Sequence, residues 1–386
     1  MNKRLHGLDL YRIIGCAFVI INHCNSKVLA QVTPKSLAWY VTVGVIFITK
    51  ITVPGFFMIT GCNLLHRDFD LPSYRKRIVR IAVDLLVFSL FYYVWRCIAH
   101  TYPVGVPEGA SALQTAGIYI TDFIRVLWRE GATDAFWYLY TYLGLMIMMP
   151  VFQRVAGMFY GESSGPVDAS SENVRFANLG SGGVFSRRIL IRTILVALIY
   201  VSLIPSICIL WPAAALNPNF ELPMIVCAVM YLFIGHACYL YRKELRAGEG
   251  LMIRDLWLIG VFLAAFVVNM ILSGAEYRVS DGTSFVSYSE IETLFMVIES
   301  VAVYCFLIKM RADGAFGRAI SFLAPATFGI YLFADFVCSN THLIYWNMCR
   351  FMNRLFAVAI QDVAAITAAL CIVLLLRLIP EVRKWI

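Results

Sequence analysis

The sequence predicts an all-α membrane protein, a polytopic bundle of about ten transmembrane helices with both termini cytosolic. Three observations carry that expectation. Hydrophobic residues make up 60% of the 386 residues and charged residues 15%, against roughly 25% charged in an average soluble domain, and the mean hydropathy is +0.75. Apolar runs near the ~20 residues that a bilayer requires recur along the whole chain. Lysine and arginine fall mainly in alternate connections between those runs.

The runs cover 8–28, 39–65, 78–98, 135–153, 189–211, 222–241, 255–273, 289–308, 319–340 and 357–378. With the N-terminus inside, the inner loops and tails hold about 22 Lys and Arg and the outer loops about eight. Removing one span would scramble that split, so charge supports both the count and the orientation. Lys3 and Arg4 before an apolar run look like a signal peptide, but Asp9 and Arg12 interrupt the run and no small-residue cleavage site follows, so a retained helix is expected. The chain reads as one domain, 1–386, with the Ser-, Gly- and Asn-rich stretch 157–186 as a flexible cytosolic loop.

A net charge of +8 is distributed over short loops, not gathered in a patch, so membrane orientation accounts for it and no nucleic-acid partner is expected. The eleven cysteines stand singly in apolar stretches, with no C-x-x-C and no Cys/His ligand spacing. They read as small buried hydrophobes, and neither disulfides nor a metal is indicated.

In the first span, Asp9, Arg12 and His23 form a polar stripe. At about 100° per residue Arg12 and His23 return to one face of a helix, about 16 Å apart along its axis, and Asp9 is placed to pair with Arg12 at i,i+3. Charged and titratable groups in an apolar helix commonly line a cavity, which makes this stripe the first functional candidate. The same spacing also fits an interfacial anchor at Asp9 and Arg12 with His23 in the far headgroup region.

The second span is interrupted by Val53-Pro54-Gly55, a proline kink that frees a backbone carbonyl. Lys50, one turn earlier, needs a partner, and Asp84 in the third span is the expected one. Arg77 and Arg80 open the third span three residues apart. Two guanidiniums so placed suit the phosphates of a cofactor, and suit equally well anionic lipid or the positive-inside bias. In the outer connection, Gln114 to Trp128 alternates like a helix lying in the interface, and Phe136-Trp137-Tyr138-Leu139-Tyr140 reads as an aromatic belt. Later spans carry His236, Glu299, Asp335 and Asp362 as isolated polar groups, some of which must satisfy one another or line a cavity. Thr327 to Leu332 is a Gly-aromatic cluster suited to close helix packing. The chain has no H-E-x-x-H, nucleophile elbow, phosphate-binding glycine loop or EF-hand pattern.

Taken in order, these blocks resemble the acyltransferase-3 family of integral membrane acyltransferases, the type that O-acetylates bacterial surface polysaccharides. Leu8 to Arg12 with His23 is similar to its R-x10-H signature, Val53 to Gly61 to its kink, Arg77 to Arg80 to its R-x-x-R, and Phe136 to Pro150 and Thr327 to Leu332 to two further blocks. Two positions depart from it: Ala135 and Ala334 stand where many members carry histidine. The resemblance implies a multi-pass protein of the bacterial cytoplasmic membrane that transfers an acyl group, acetyl being the expected one, from acetyl-CoA or another acyl-CoA to a hydroxyl of a cell-surface or lipid-linked glycan. In that reading His23, Arg12 and Asp9 are catalytic, His23 as general base or as a transient acyl carrier, and Arg77, Arg80 and Arg12 bind the donor, with no metal. Two other classes remain at this stage: a transporter or flippase for a glycan intermediate, whose repeats often show paired broken helices, and a non-catalytic membrane receptor of the same fold.

Overall fold

A computed structural model describes residues 6–67, 69–158, 187–211, 224–241, 253–310 and 312–385. Among them every regular element is helical. Nine helices are long and apolar enough to cross a membrane, and Val226–Leu240 is a shorter apolar helix. Each of the ten apolar runs of the sequence overlaps one of these. Exposed apolar side chains such as Leu256, Trp257, Leu263 and Val267 stand along the helix Ile253–Val279, as expected of a helix facing lipid. Residues 159–186, which contain nearly all of the expected cytosolic loop, lie outside the described residues.

The elements are α1 (His6–Leu29), α2 (Leu37–Lys50), α3 (Thr52–Leu64), α4 (Leu71–Ile98), α5 (Ala112–Arg125), α6 (Trp137–Gly157), α7 (Arg187–Leu198), α8 (Ile204–Leu210), α9 (Met224–Leu240), α10 (Ile253–Val279), α11 (Leu294–Ile308), α12 (Gly314–Leu323), α13 (Thr327–Leu332), α14 (Ala334–Met348), α15 (Arg354–Leu376) and α16 (Pro380–Arg383). Their starts are chemically marked. Ser36 accepts from the Trp39 amide before α2, Asp70 from that of Ser73 before α4, and Asn353 from that of Leu355 before α15, each satisfying an amide with no partner inside its helix. Ser111 and Gln114 form a reciprocal capping box on α5. None of α5's residues is buried, and Leu113, Ile120 and Ile124 lie exposed along it, in keeping with a helix lying in the interface.

Helix α1 is the hub. It packs against α2 and α3 on one side and against α11 to α15 on the others, and its two ends enter different cores. Leu8 and Tyr11 join Phe57, Met58, Leu145 and Tyr304, whereas Cys16, Ile20 and Cys24 join Phe47, Tyr92 and Phe136. The second run breaks at Ile51, a turn before Pro54, because the proline ring excludes the carbonyl four residues back. The ninth run, expected over 319–340, lies earlier: the span is Gly314–Leu332, itself interrupted by a 3-10 turn at Ala324–Ala326, and α14 begins as a separate helix beyond Phe333.

Two glycines decide how closely α3 and α9 pack. A Cβ on Gly61 would stand 1.8 Å from the Leu232 carbonyl oxygen, and one on Gly235 would stand 2.0 Å from that of Met58. Backbone thus meets backbone between α3 and α9, a closeness that small residues permit between membrane helices.

Candidate functional site

The structure orders the polar stripe of α1 into two ends. At the end nearer the N-terminus of α1, Arg12 Nη1 donates to Asp9 Oδ1 at 3.1 Å, the i,i+3 pair expected from sequence. Asp9 is buried while the Arg12 side chain is 37% exposed, so the guanidinium is anchored on one side and open on the other. Arg77 and Arg80 of α4 lie within electrostatic reach of a side chain that Arg12 also acts on. Arg12, Arg77 and Arg80 all act electrostatically on the hydroxyl of Tyr142 in α6, which brings together guanidiniums far apart in sequence. Arg80 also lies 3.8 Å from Asp84 and donates to the Trp385 carbonyl at 2.5 Å.

Between the ends stand aromatic rings. Tyr142 stacks on Tyr138 with centroids 5.7 Å apart and planes 12° apart. Tyr138 in turn meets Phe57 at 5.1 Å, Phe56 at 5.9 Å and Tyr331 at 5.6 Å. The Tyr331 hydroxyl donates to the Ala135 carbonyl at 2.5 Å, so the column ends beside the start of α6. Tyr138 and Tyr142 are one turn apart on α6; the sequence places Tyr138 in the aromatic belt Phe136 to Tyr140 and does not single out Tyr142.

At the far end stands His23. The charged groups that act on it are Asp335, Lys27, Asp134 and Lys50. Asp335 accepts from the Thr133 hydroxyl at 2.8 Å and lies 3.8 Å from Lys27 Nζ, which also donates to Ser339 Oγ at 3.1 Å. Thr133, Lys27 and Asp335 come from three separate stretches and were missed as a group. Ala135 and Ala334 are both buried, each adjoining a polar neighbour of this cluster.

One sequence expectation is corrected. Lys50 does not pair with Asp84. It forms an ion pair with Glu290 at 2.7 Å, because the end of α2 faces the segment preceding α11, whereas Asp84 turns back to Arg80 one helical turn away. The isolated polar groups of the later spans also find partners other than one another. Glu299 accepts from Asn269 at 2.5 Å, Asp362 from Asn25 at 3.1 Å, and His236 stacks near Tyr239. All eleven cysteines are free thiols, and among the described residues no cluster of His, Cys, Asp or Glu is arranged to hold a metal ion.

Residues 5–379 match the family model acyltransferase 3, described as an acyltransferase domain. The chain belongs to the acyltransferase-3 family. The match covers nearly the whole chain, so both ends of the α1 stripe and the aromatic column lie within the membrane acyltransferase domain. No curated protein and no solved structure matches the chain.

Proposed function

We propose that this membrane acyltransferase moves an acyl group, acetyl being the expected one, from a cytosolic acyl-CoA to a hydroxyl of a cell-surface or lipid-linked glycan. The observation that carries this reading is that Arg12, Arg77 and Arg80 all lie within electrostatic reach of the Tyr142 hydroxyl, with His23 about 16 Å further along the helix that carries Arg12. Coenzyme A has that shape: phosphates at one end and a thioester at the tip of a long narrow arm. Guanidiniums suit the phosphates, which they bind through paired donors. In the bound state phosphate competes with Asp84 and the Trp385 carbonyl for Arg80. Tyr142, Tyr138 and Tyr331 offer ring faces and hydroxyls along the interval.

At the far end, His23 takes the proton of the acceptor hydroxyl as that oxygen adds to the thioester carbonyl. The C–S bond then breaks, and the proton passes from His23 to the departing thiolate. A route through acyl-His23 uses the same imidazole as nucleophile, with the same overall balance. Asp9 holds the Arg12 guanidinium in place for the donor. The bias of basic residues supports cytosolic termini, with the arginine end of α1 at the cytosolic face and His23 in the outer half of the bundle.

The test is transfer of labelled acetyl from acetyl-CoA to lipid-linked or surface glycan, in membranes carrying wild type or His23→Ala at matched protein levels. Label with wild type and none with His23→Ala is expected. Equal label from both removes His23 from the chemistry, and no label above empty membranes with any of several acyl donors overturns the reading.

A further inference from the structure

Asn22 of α1 donates to Thr49 Oγ1 of α2 at 3.0 Å. The residues that follow each partner are His23 and Lys50, so this clip brings the imidazole and the ammonium to one level, where Lys50 is among the charges acting on His23. That level is about 10 Å inward from the end of α1 and about 18 Å inward from the start of α2 at 1.5 Å per residue. It lies well within the hydrocarbon thickness of about 30 Å.

Lys50's partner is held there by unusual means. Glu290 belongs to a non-helical stretch between the 3-10 turn Ser287–Ser289 and α11. Non-helical backbone at membrane depth must have its polar groups satisfied by protein or water, and here side chains from two other helices do so. The Tyr231 hydroxyl of α9 donates to the Ile291 carbonyl at 2.6 Å. Ser206 of α8 accepts from the Leu294 amide at 2.9 Å through its hydroxyl and from the Tyr288 hydroxyl at 2.8 Å through its carbonyl. Thr293 closes the turn by donating to the Tyr288 carbonyl at 2.8 Å. The chain thus fixes an irregular segment whose outcome is a carboxylate at 2.7 Å from Lys50.

The pair is nevertheless open. The Lys50 side chain is 25% exposed and that of Glu290 43%, in contrast to the intramembrane carboxyl Glu299, which is fully enclosed beside Asn269. Exposure of these charges to hydrocarbon at this depth is strongly unfavourable, and ionised groups inside membranes face a water-filled or polar cavity. We propose that Lys50 and Glu290 form the acceptor-side subsite of the transfer reaction, open to water and suited to a polyhydroxyl acceptor, in which Lys50 contacts the reacting acyl group and Glu290 is its positioning residue.

This rests on the acyl-transfer reading. As the acceptor oxygen bonds to the acyl carbon and its proton passes to His23, the carbonyl oxygen gains negative charge. The Lys50 ammonium meets that charge until the C–S bond breaks and the thiolate leaves with the proton from His23. Glu290 keeps the ammonium at the level of His23, and its free oxygen is an acceptor for a sugar hydroxyl.

Two measurements on the full-length protein test this. In kinetics with labelled acetyl-CoA, Lys50→Met is expected to lower kcat by about a hundred- to a thousandfold with the donor KM unchanged. Lys50→Arg is expected to recover part of that loss, and Glu290→Asp to be milder than Glu290→Gln. In intact cells, Glu290→Cys is expected to react with a membrane-impermeant maleimide above the wild-type background, and a soluble oligosaccharide acceptor to slow that reaction. An unchanged kcat in Lys50→Met, beside an active wild type, overturns the role of Lys50. Absence of maleimide labelling in a folded Glu290→Cys protein overturns the open subsite. A wild type that transfers nothing from any donor, with Glu290→Cys labelled, overturns acyl transfer and retains the water-open subsite.

Discussion

Tyr11 lies across the backbone of Gly55. Its hydroxyl donates to the Ile51 carbonyl at 2.8 Å, and a Cβ on Gly55 would fall 2.0 Å from the tyrosine ring. The two sequence blocks that stand first and second in the chain are therefore halves of one joint. Tyr11 adds a second donor to a carbonyl at the break, one that also accepts from the Gly55 amide at 3.3 Å, and Gly55 leaves the space in which the ring sits. Since Arg12 follows Tyr11, the joint also sets where the stripe of α1 stands relative to α3.

Gly55→Ala is accordingly expected to destabilise the protein by about 1–3 kcal/mol, the usual cost of overpacking a close contact. Tyr11→Phe, which loses one buried hydrogen bond and keeps the ring, is expected to cost about 1 kcal/mol. Thermal unfolding of the detergent-solubilised protein, followed by size exclusion, checks both, and a Gly55→Ala protein as stable as wild type would contradict the joint.

The α3–α9 contact predicts a sharper contrast. At Gly61 and Gly235 the obstacle to a Cβ is a backbone carbonyl, which has no rotamer to change, so Gly61→Ala and Gly235→Ala should leave little monodisperse protein. Gly260 and Gly274 have nothing within 4 Å of a Cβ. Alanine there should be neutral or mildly stabilising, because it favours the helix.

Donor binding should respond at the arginines. Arg77→Gln and Arg80→Gln each remove hydrogen bonds from a charged donor worth about 1.5–3 kcal/mol, so the KM for acetyl-CoA should rise about tenfold or more while kcat changes less. Arg12→Lys should fall short of wild type because an ammonium lacks the planar fork. A KM unmoved by all three would separate the arginine end of α1 from the donor.

Around His23, Thr133 and Asp335 should behave as one unit. Asp335→Ala and Thr133→Val are each expected to lower kcat/KM by about tenfold, and the double variant by less than the product of the two, since either change removes the same 2.8 Å bond. Fully multiplicative effects would place the two residues in separate roles.

The helical frame was readable because a bilayer imposes a simple rule: apolar length sets the spans, and all ten runs reappear as helices. The Asp9–Arg12 pair was equally readable, since both residues share one helix whose geometry fixes their relation. The Lys50–Asp84 expectation failed for the complementary reason. It joined Lys50 to the carboxylate of the next span in sequence, whereas Glu290, 240 residues away, is brought to Lys50 by the irregular turn before α11.

By itself, then, the sequence determined what a single helix or the membrane can determine: which segments span, where α2 gives way to α3, and which face of α1 carries Arg12 and His23. Only the tertiary structure decided what those faces meet. Arg77 and Arg80 join Arg12 at Tyr142, Thr133 and Asp335 join Lys27 beside His23, and Lys50 meets Glu290. The physical reason is range. Periodicity and hydropathy act along one helix, but a buried polar group takes its partner from whichever helix packing brings within hydrogen-bond distance, and small residues such as Gly55, Gly61 and Gly235 set how near that helix comes.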